Sequence, residues 1–353
     1  MKGMKEKIEY LLRSAFELKA SDLHLSVGVP PILRLNGQLK RYGKEVMTPQ
    51  LTEGMAKAII SDTMWPVFQE RGELDFSYGI PGVSRFRINV YRQRNCVSLA
   101  IRVVPTTIPT VEELHLPPVL YAFTEKPHGL VLVTGPTGSG KSTTLAAMID
   151  HMNKTLHKHI ITLEDPIEYL HKHQKCIIDQ REVGFDTQNF ANGLRAALRQ
   201  DPDVILVGEM RDLETIHIAI TAAETGHLVL GTLHTSGAPS TIDRIIDVFP
   251  PSQQAQIRIQ LANVLVGIIS QRLFPTADNK GRRAATEVLV NNAAIANLIR
   301  NEKVHQIVNV LQTSRALGMH TLETDVKELL AAGAISKEAA EPYLQEIVQN
   351  ATI

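Results

Sequence analysis

Eight consecutive residues, Gly135-Pro136-Thr137-Gly138-Ser139-Gly140-Lys141-Ser142, have the make-up of a phosphate cradle. Glycines let successive backbone N–H groups turn toward one anion, Lys141 brings a positive charge, and Ser142 brings a hydroxyl suited to Mg2+. The apolar run 130–134 precedes the loop, and a helix starting near Lys141 would aim its N-terminal dipole at the same phosphates. The pattern points to ATP with Mg2+ held by these eight residues, with Thr143 beside them.

Two acidic positions can serve such a site. Val204-Ile205-Leu206-Val207-Gly208-Glu209 reads as a buried strand ending in a carboxylate, so Glu209 is expected on the metal side, through water. Such strands usually end in aspartate, and Gly208 stands in that place. Ile160-Ile161-Thr162-Leu163-Glu164-Asp165-Pro166 also sets acids at a strand end, where parallel sheets gather their ligands. Glu164 can orient or deprotonate the attacking water, whereas Asp165 can equally cap the turn before Pro166.

His227 and His234 flank the run 228–233, and spacing alone leaves both a structural and a functional role open for each. A second group, His157, His159, His171 and His173 with Cys176, is interleaved with Lys158, Lys172 and Lys175, and reads as a solvated basic face rather than a metal site. Arg85, Arg87, Arg92, Arg94 and Arg102 alternate with apolar residues, so several share one strand face. They can reach a γ-phosphate across a cleft or pair with surface acids; spacing does not choose.

The elements that would position these groups fall into two sets. Residues 6–19 carry apolar side chains at helical spacing, and short strand-like runs follow at 23–25, 31–35, 74–78, 85–91 and 97–104, with a turn at Gly37. A small α+β domain over 1–110 is expected, closed by the proline-containing linker 104–110. From Gly129 apolar strands at 130–134, 159–163, 203–207 and 227–232 alternate with helices, the signature of a parallel sheet with helical crossovers. Asp212 reads as the N-cap of a helix ending at Thr225, with Gly226 just past it. After Leu289 helices are expected at 293–301, 304–314 and 321–332. The expected fold is α/β, with a second domain over 111–353.

Composition sets outer bounds. The chain has 353 residues, 44% of them hydrophobic, with 37 basic and 37 acidic side chains. That balance provides no bias toward nucleic acid or an anionic membrane. Cys96 and Cys176 form no CxxC pair, so reduced thiols in a cytoplasmic protein are expected. The N-terminus mixes charges rather than opening a signal core, and no apolar run approaches the ~20 residues of a membrane span. Work at a membrane would therefore need a recruiting partner.

Taken together, these motifs closely resemble the type IV pilus retraction ATPases of the secretion ATPase superfamily, over nearly the whole chain. Ala20-Ser21-Asp22-Leu23-His24-Leu25 looks like that family's N-terminal PAS-like domain. Arg85-Phe86-Arg87, the Walker A loop, the Asp box Glu164-Asp165-Pro166, the atypical Walker B segment Gly208-Glu209-Met210-Arg211-Asp212 and the His box from Ala223 to Thr235 follow in the family's order. The resemblance implies a RecA-like P-loop ATPase domain with a parallel-rich sheet and a helical C-terminus. It makes Glu164 the catalytic glutamate and Glu209 the Mg2+-side acid. His227 and His234 would couple nucleotide state to subunit contacts, and Arg87 and Arg102 align with nucleotide-contacting arginines. It further implies a homo-hexameric ring working at the inner face of the cytoplasmic membrane, recruited by an inner-membrane platform protein, with the linker as its hinge.

Residues 294–301 resemble the family's AIRNLIRE motif, with Ala296 in place of arginine and Asn301 in place of glutamate. The related assembly ATPases carry a longer N-terminus and usually a tetracysteine zinc site, which favours retraction here. Assembly and accessory motors remain alternatives. A nucleic-acid-driven translocase is disfavoured by the charge balance, and a nucleotide-binding regulator by the acids at both strand ends.

Overall fold

The computed structural model describes residues 2–350; Met1 and 351–353, the outermost residues of the two expected domains, lie outside the described residues. The chain divides into two compact units, Met1–Thr107 and Ile108–Ile353. The backbone has no regular structure over 104–110.

The first unit contains, in order, α1 (Lys2–Glu17), β1 (Asp22–Leu25), β2 (Ile32–Leu35), β3 (Gln38–Arg41), α2 (Pro49–Ile59), α3 (Trp65–Arg71), β4 (Glu73–Ile80), β5 (Ser84–Gln93) and β6 (Cys96–Val103). The strands form one antiparallel sheet in the order β3-β2-β1-β6-β5-β4. Alternation explains its two faces. Phe86, Ile88 and Val90 of β5 are buried, while Arg85, Arg87 and Asn89 between them point to the other side. Ile8, Leu12 and Ala15 of α1, Met55 of α2 and Phe68 of α3 pack on the apolar face. The helices α2 and α3 and the strand β3 lie outside the sequence expectation; Gln38–Arg41 is exposed throughout, so it has no apolar alternation to read.

The second unit contains α4 (Val119–Thr124), β7 (Gly129–Thr134), α5 (Lys141–Thr155), β8 (His159–Glu164), β9 (Ile177–Glu182), α6 (Phe190–Ala197), β10 (Val204–Val207), α7 (Leu213–Glu224), β11 (Leu228–Leu233), α8 (Ala238–Asp247), α9 (Pro251–Val264), β12 (Leu265–Pro275), β13 (Arg282–Val290), α10 (Ala293–Arg300), α11 (Ile307–Thr313), α12 (Leu322–Ala331) and α13 (Lys337–Asn350). The sheet order is β13-β12-β7-β11-β10-β8-β9, parallel except for β13. Helices cover both faces, which is why β7, β10 and β11 are continuously buried rather than alternating. Leu130 and Leu132 of β7 join one core with α7 to α10; Val131 and Val133 join another with α4 and α5.

Asp212 caps α7 as the sequence implies, accepting from the Thr215 N–H at 2.8 Å, and Gly226 beyond the helix end has φ +107°. The strands β9, β12 and β13 are additional to those the pattern marks. In β12 the apolar run is broken by Ser270 and Gln271, both buried.

Leu99 is fully buried in β6 at the centre of the first unit's core, so Leu99→Ala should cost about 2–5 kcal/mol. Trp65, the chain's one tryptophan, packs against Phe68 in that unit, so a lower urea midpoint in its fluorescence checks this.

Candidate active site

The groups that the sequence marks for nucleotide chemistry in the second unit gather at the carboxyl ends of parallel strands, with one exception. Gly135 follows β7, Glu164 ends β8, Glu209 follows β10 and His234 follows β11. The register fixes this common rim: Thr134 lies beside Leu233, and Val207 lies between Gly231 and Leu163.

The loop 135–140 is shaped by close approach. A Cβ at Gly135, where φ is +142°, would stand 2.3 Å from the Gln271 carbonyl oxygen and 2.6 Å from Ser139 Oγ, so only glycine fits. Gly140 enters α5 in the left-handed region and offers no side chain to cap the helix. The helix N-terminus therefore keeps its first N–H groups for a ligand. Pro136, Thr137 and Gly138 form the exposed tip, Ser139 is buried, and Ser142 and Thr143 open the first helical turn toward the surface.

Lys141 is buried. Its ammonium donates to the carbonyls of Gly135 at 2.8 Å and Pro136 at 3.0 Å. Burial pulls its pKa below the ordinary lysine value, and the Glu209 charge opposes that pull. A phosphate oxyanion is a stronger partner for an ammonium than two neutral carbonyls, so the lysine is poised to transfer its bonds to one.

His234 joins the two motifs that flank it in space. Its Nδ1 lies 3.5 Å from Lys141 Nζ and its Nε2 lies 3.1 Å from Glu209 Oε1. Since ammonium can only donate, Nδ1 accepts and Nε2–H donates to the carboxylate. Arg211 also pairs with Glu209. Gly208, in the usual aspartate position, is dictated by packing: a Cβ there would be 2.8 Å from the Leu163 carbonyl oxygen.

Glu164 Oε1 accepts from Thr162 Oγ1 at 2.6 Å and from Gln180 Nε2 at 3.0 Å. Dense packing around the carboxyl pushes its pKa up, and those two hydrogen bonds pull it back. His227 is the exception to the common rim. It precedes β11 at the opposite end of the sheet, and its Nδ1 lies 3.0 Å from the Ala222 carbonyl oxygen. Arg87 and Arg102 belong to the first unit, directly opposite each other on β5 and β6, with Arg102 paired to Asp22 at 3.1 Å.

The second histidine group is not uniformly solvated as the sequence implies. Lys172, His173 and Lys175 are exposed, but burial drives the His171 imidazole down to about 4 and keeps it neutral. In the segment 294–301, Ala296 is buried against the core of α10, and the Asn301 amide folds back onto Asn297 Oδ1 at 2.8 Å. Both cysteines are free thiols.

Gln271 and Gln180 hold the site, and neither is marked by the sequence. Gln271 Nε2 donates to the Ser139 carbonyl at 2.7 Å, and its Oε1 accepts from Thr144 Oγ1 at 2.9 Å, clamping the loop to the first turn of α5. The one signal in sequence is a glutamine inside an apolar strand.

The family described as Type II/IV secretion system protein matches residues 3–348. The chain belongs to this family. Within it, the chain is 49% identical to the type IV pilus retraction ATPase PilT of Pseudomonas aeruginosa over 94% of its own length and 96% of that protein's. It is 42% identical to the type IV pilus ATPase PilU of the same organism, over 95% and 87% of the two chains. The crystal structure of the pilus retraction motor PilT with bound ADP matches with a TM-score of 0.86 over 94% of this chain and 95% of that one. The doubly covered, parallel-rich sheet is thus that of the secretion ATPases, the fold the motifs imply.

Replacing Gln271 by Leu leaves the Ser139 carbonyl without its donor in a buried place, a loss of about 1–3 kcal/mol. The expected result is roughly tenfold weaker ATP binding, read by titration with a fluorescent nucleotide, with circular dichroism unchanged.

Proposed function

We propose that this protein is a Mg2+-dependent ATPase motor that powers retraction of type IV pili, working as a homo-hexamer on an inner-membrane platform protein. The observation that carries the reading is the convergence of Lys141, His234 and Glu209 on one uncapped helix N-terminus in a chain 49% identical to a retraction ATPase. Among the described residues, no helix is long and apolar enough to cross a membrane.

The chemistry follows from the residues. Backbone N–H groups of the loop and of α5 receive the β- and γ-phosphates, and Lys141 releases the Gly135 and Pro136 carbonyls to neutralise them. Glu164 aligns a water molecule and takes its proton as the oxygen attacks the γ-phosphorus, while the bond from that phosphorus to the β–γ bridging oxygen breaks and ADP leaves with the electron pair. Its raised pKa brings it nearer to working pH, which suits a general base. The exposed Ser142 hydroxyl and the Glu209 carboxylate suit Mg2+, an oxygen-seeking ion, Glu209 through water. When bound, the ion neutralises charge developing on the phosphate oxygens. His234, touching both Lys141 and Glu209, would report whether the phosphate is present. His227 and the arginines Arg87 and Arg102 would serve subunit and nucleotide contacts.

An assembly or accessory retraction role is the second reading, since the 42% identity to the type IV pilus ATPase PilU shows that more than one pilus ATPase shares this likeness. Deleting the gene in its host separates these readings. Surplus surface pili without motility marks the main retraction motor, bald cells mark an assembly motor, and unchanged motility marks an accessory one.

In the purified protein, Lys141→Ala should abolish nucleotide binding. Glu164→Gln should retain binding and lower kcat by about a thousandfold or more, since positioning and proton transfer both fail. Undiminished phosphate release by Glu164→Gln would sink the assignment of the base. Because the carboxylate is the working form and its pKa is raised, turnover should fall on acidification at a pH above the ordinary glutamate range. A kcat–pH profile checks this.

A further inference from the structure

Gln180 occupies the position on β9 directly beside Thr162 of β8, and both side chains meet the same oxygen of Glu164. A primary amide has two N–H donors and one acceptor oxygen, and here all are engaged. One N–H reaches Glu164 Oε1 at 3.0 Å, the other reaches the Tyr169 carbonyl at 2.8 Å, and Oε1 of the amide accepts from the His171 N–H at 2.9 Å. Turning the amide over would set its oxygen against two acceptors and its NH2 against a donor. Its orientation is therefore fixed by chemistry rather than by packing alone.

The same strand holds the same loop a second time. Two residues on, the buried Glu182 accepts from the Ile167 N–H at 3.1 Å. Tyr169, whose carbonyl Gln180 grips, places its hydroxyl 2.9 Å from Thr143 Oγ1 in the first turn of α5. One amide thus connects the acid at the end of β8, the loop 165–171 and, through Tyr169, the helix that receives the phosphates.

We infer that Gln180 is the positioning residue for Glu164, fixing the direction of its carboxylate from the neighbouring strand and tying that direction to the phosphate-binding helix. This rests on Glu164 being the acid that activates water. The titratable and charged groups around it come from three sides. Glu168 on the following loop raises its pKa by charge while its backbone lowers it. Asp165 adjoins it in the chain, and Glu182 and the neutral His171 face the same loop from β9 and from the loop's far end. Tyr169 stands toward α5. Against the push of burial, the bonds from Thr162 and Gln180 favour the charged form.

The test is steady-state kinetics of the full-length protein across pH. Gln180→Met keeps the length and removes the donors. It should leave KM for ATP and fluorescent-nucleotide affinity within twofold, lower kcat about tenfold, and move the acid limb of the kcat profile to higher pH. A residue that merely supports the fold would not move that limb. Unchanged kcat, a loss confined to KM, or a lower kcat with the limb unmoved would each overturn the inference. Should Gln180→Met not fold, Gln180→Glu keeps the shape and sets a second carboxyl against Glu164. It should move the limb upward further, and an unmoved limb there is equally fatal. Glu164→Gln, run in parallel, separates the two levels. Full turnover in Glu164→Gln removes the underlying reading, whereas a dead Glu164→Gln beside an unshifted Gln180 variant removes only the role of Gln180.

Discussion

The rim where the parallel strands end depends on one requirement: the first N–H groups of α5 must go without a side-chain cap while the carbonyls of the preceding loop and its lysine are satisfied from behind. Bare N–H groups at a helix N-terminus are tolerable only where water or a ligand reaches them. A loop left to itself would fold inward to pair them. Here the Ser139 carbonyl is taken by Gln271, and the carbonyls of Gly135 and Pro136 by Lys141. The backbone is thereby held open, and the lysine that holds it is the one that a phosphate would recruit.

The sheet supplies the rest. Parallel strands with helices on both faces send all their carboxyl ends to one rim, so residues distant in sequence arrive together without long-range design of each pair. Glu209 and His234 meet because β10 and β11 are neighbours in register. Glu164 and Gln180 meet because β8 and β9 are. Both contacts lie between neighbouring strands or just beyond their ends.

The strand-end placement of residues 135–142, Glu164, Glu209 and His234 was legible in the sequence because an apolar run stops at each, a change of character visible in one dimension. The residues that hold them were not. Gln271 acts through partners over a hundred positions away in the chain and Gln180 through partners 9 to 16 away, and a single polar residue within or beside a strand has no periodic signature. The strand β9, with only Ile177 and Ile178 apolar, offers no alternation to read. The same limit applied to the second histidine group, where exposure of the lysines was readable but the inward turn of His171 was not. Gly208 could be seen as a departure from the usual acid, yet its cause, the nearness of the Leu163 carbonyl, exists only in three dimensions.

The pairing of β12 with β13 runs unbroken from Gly267 opposite Val290 to Pro275 opposite Arg282, and it protects β12 from being an edge. A slip of one residue in β12 would turn Gln271 to the other face of the sheet. Such a chain would keep a plausible hydrophobic core and lose its nucleotide cradle. A nucleotide held by this loop would therefore act as a proof-reader of folding, because it would stabilise by mass action only those molecules whose strands have found their correct alignment.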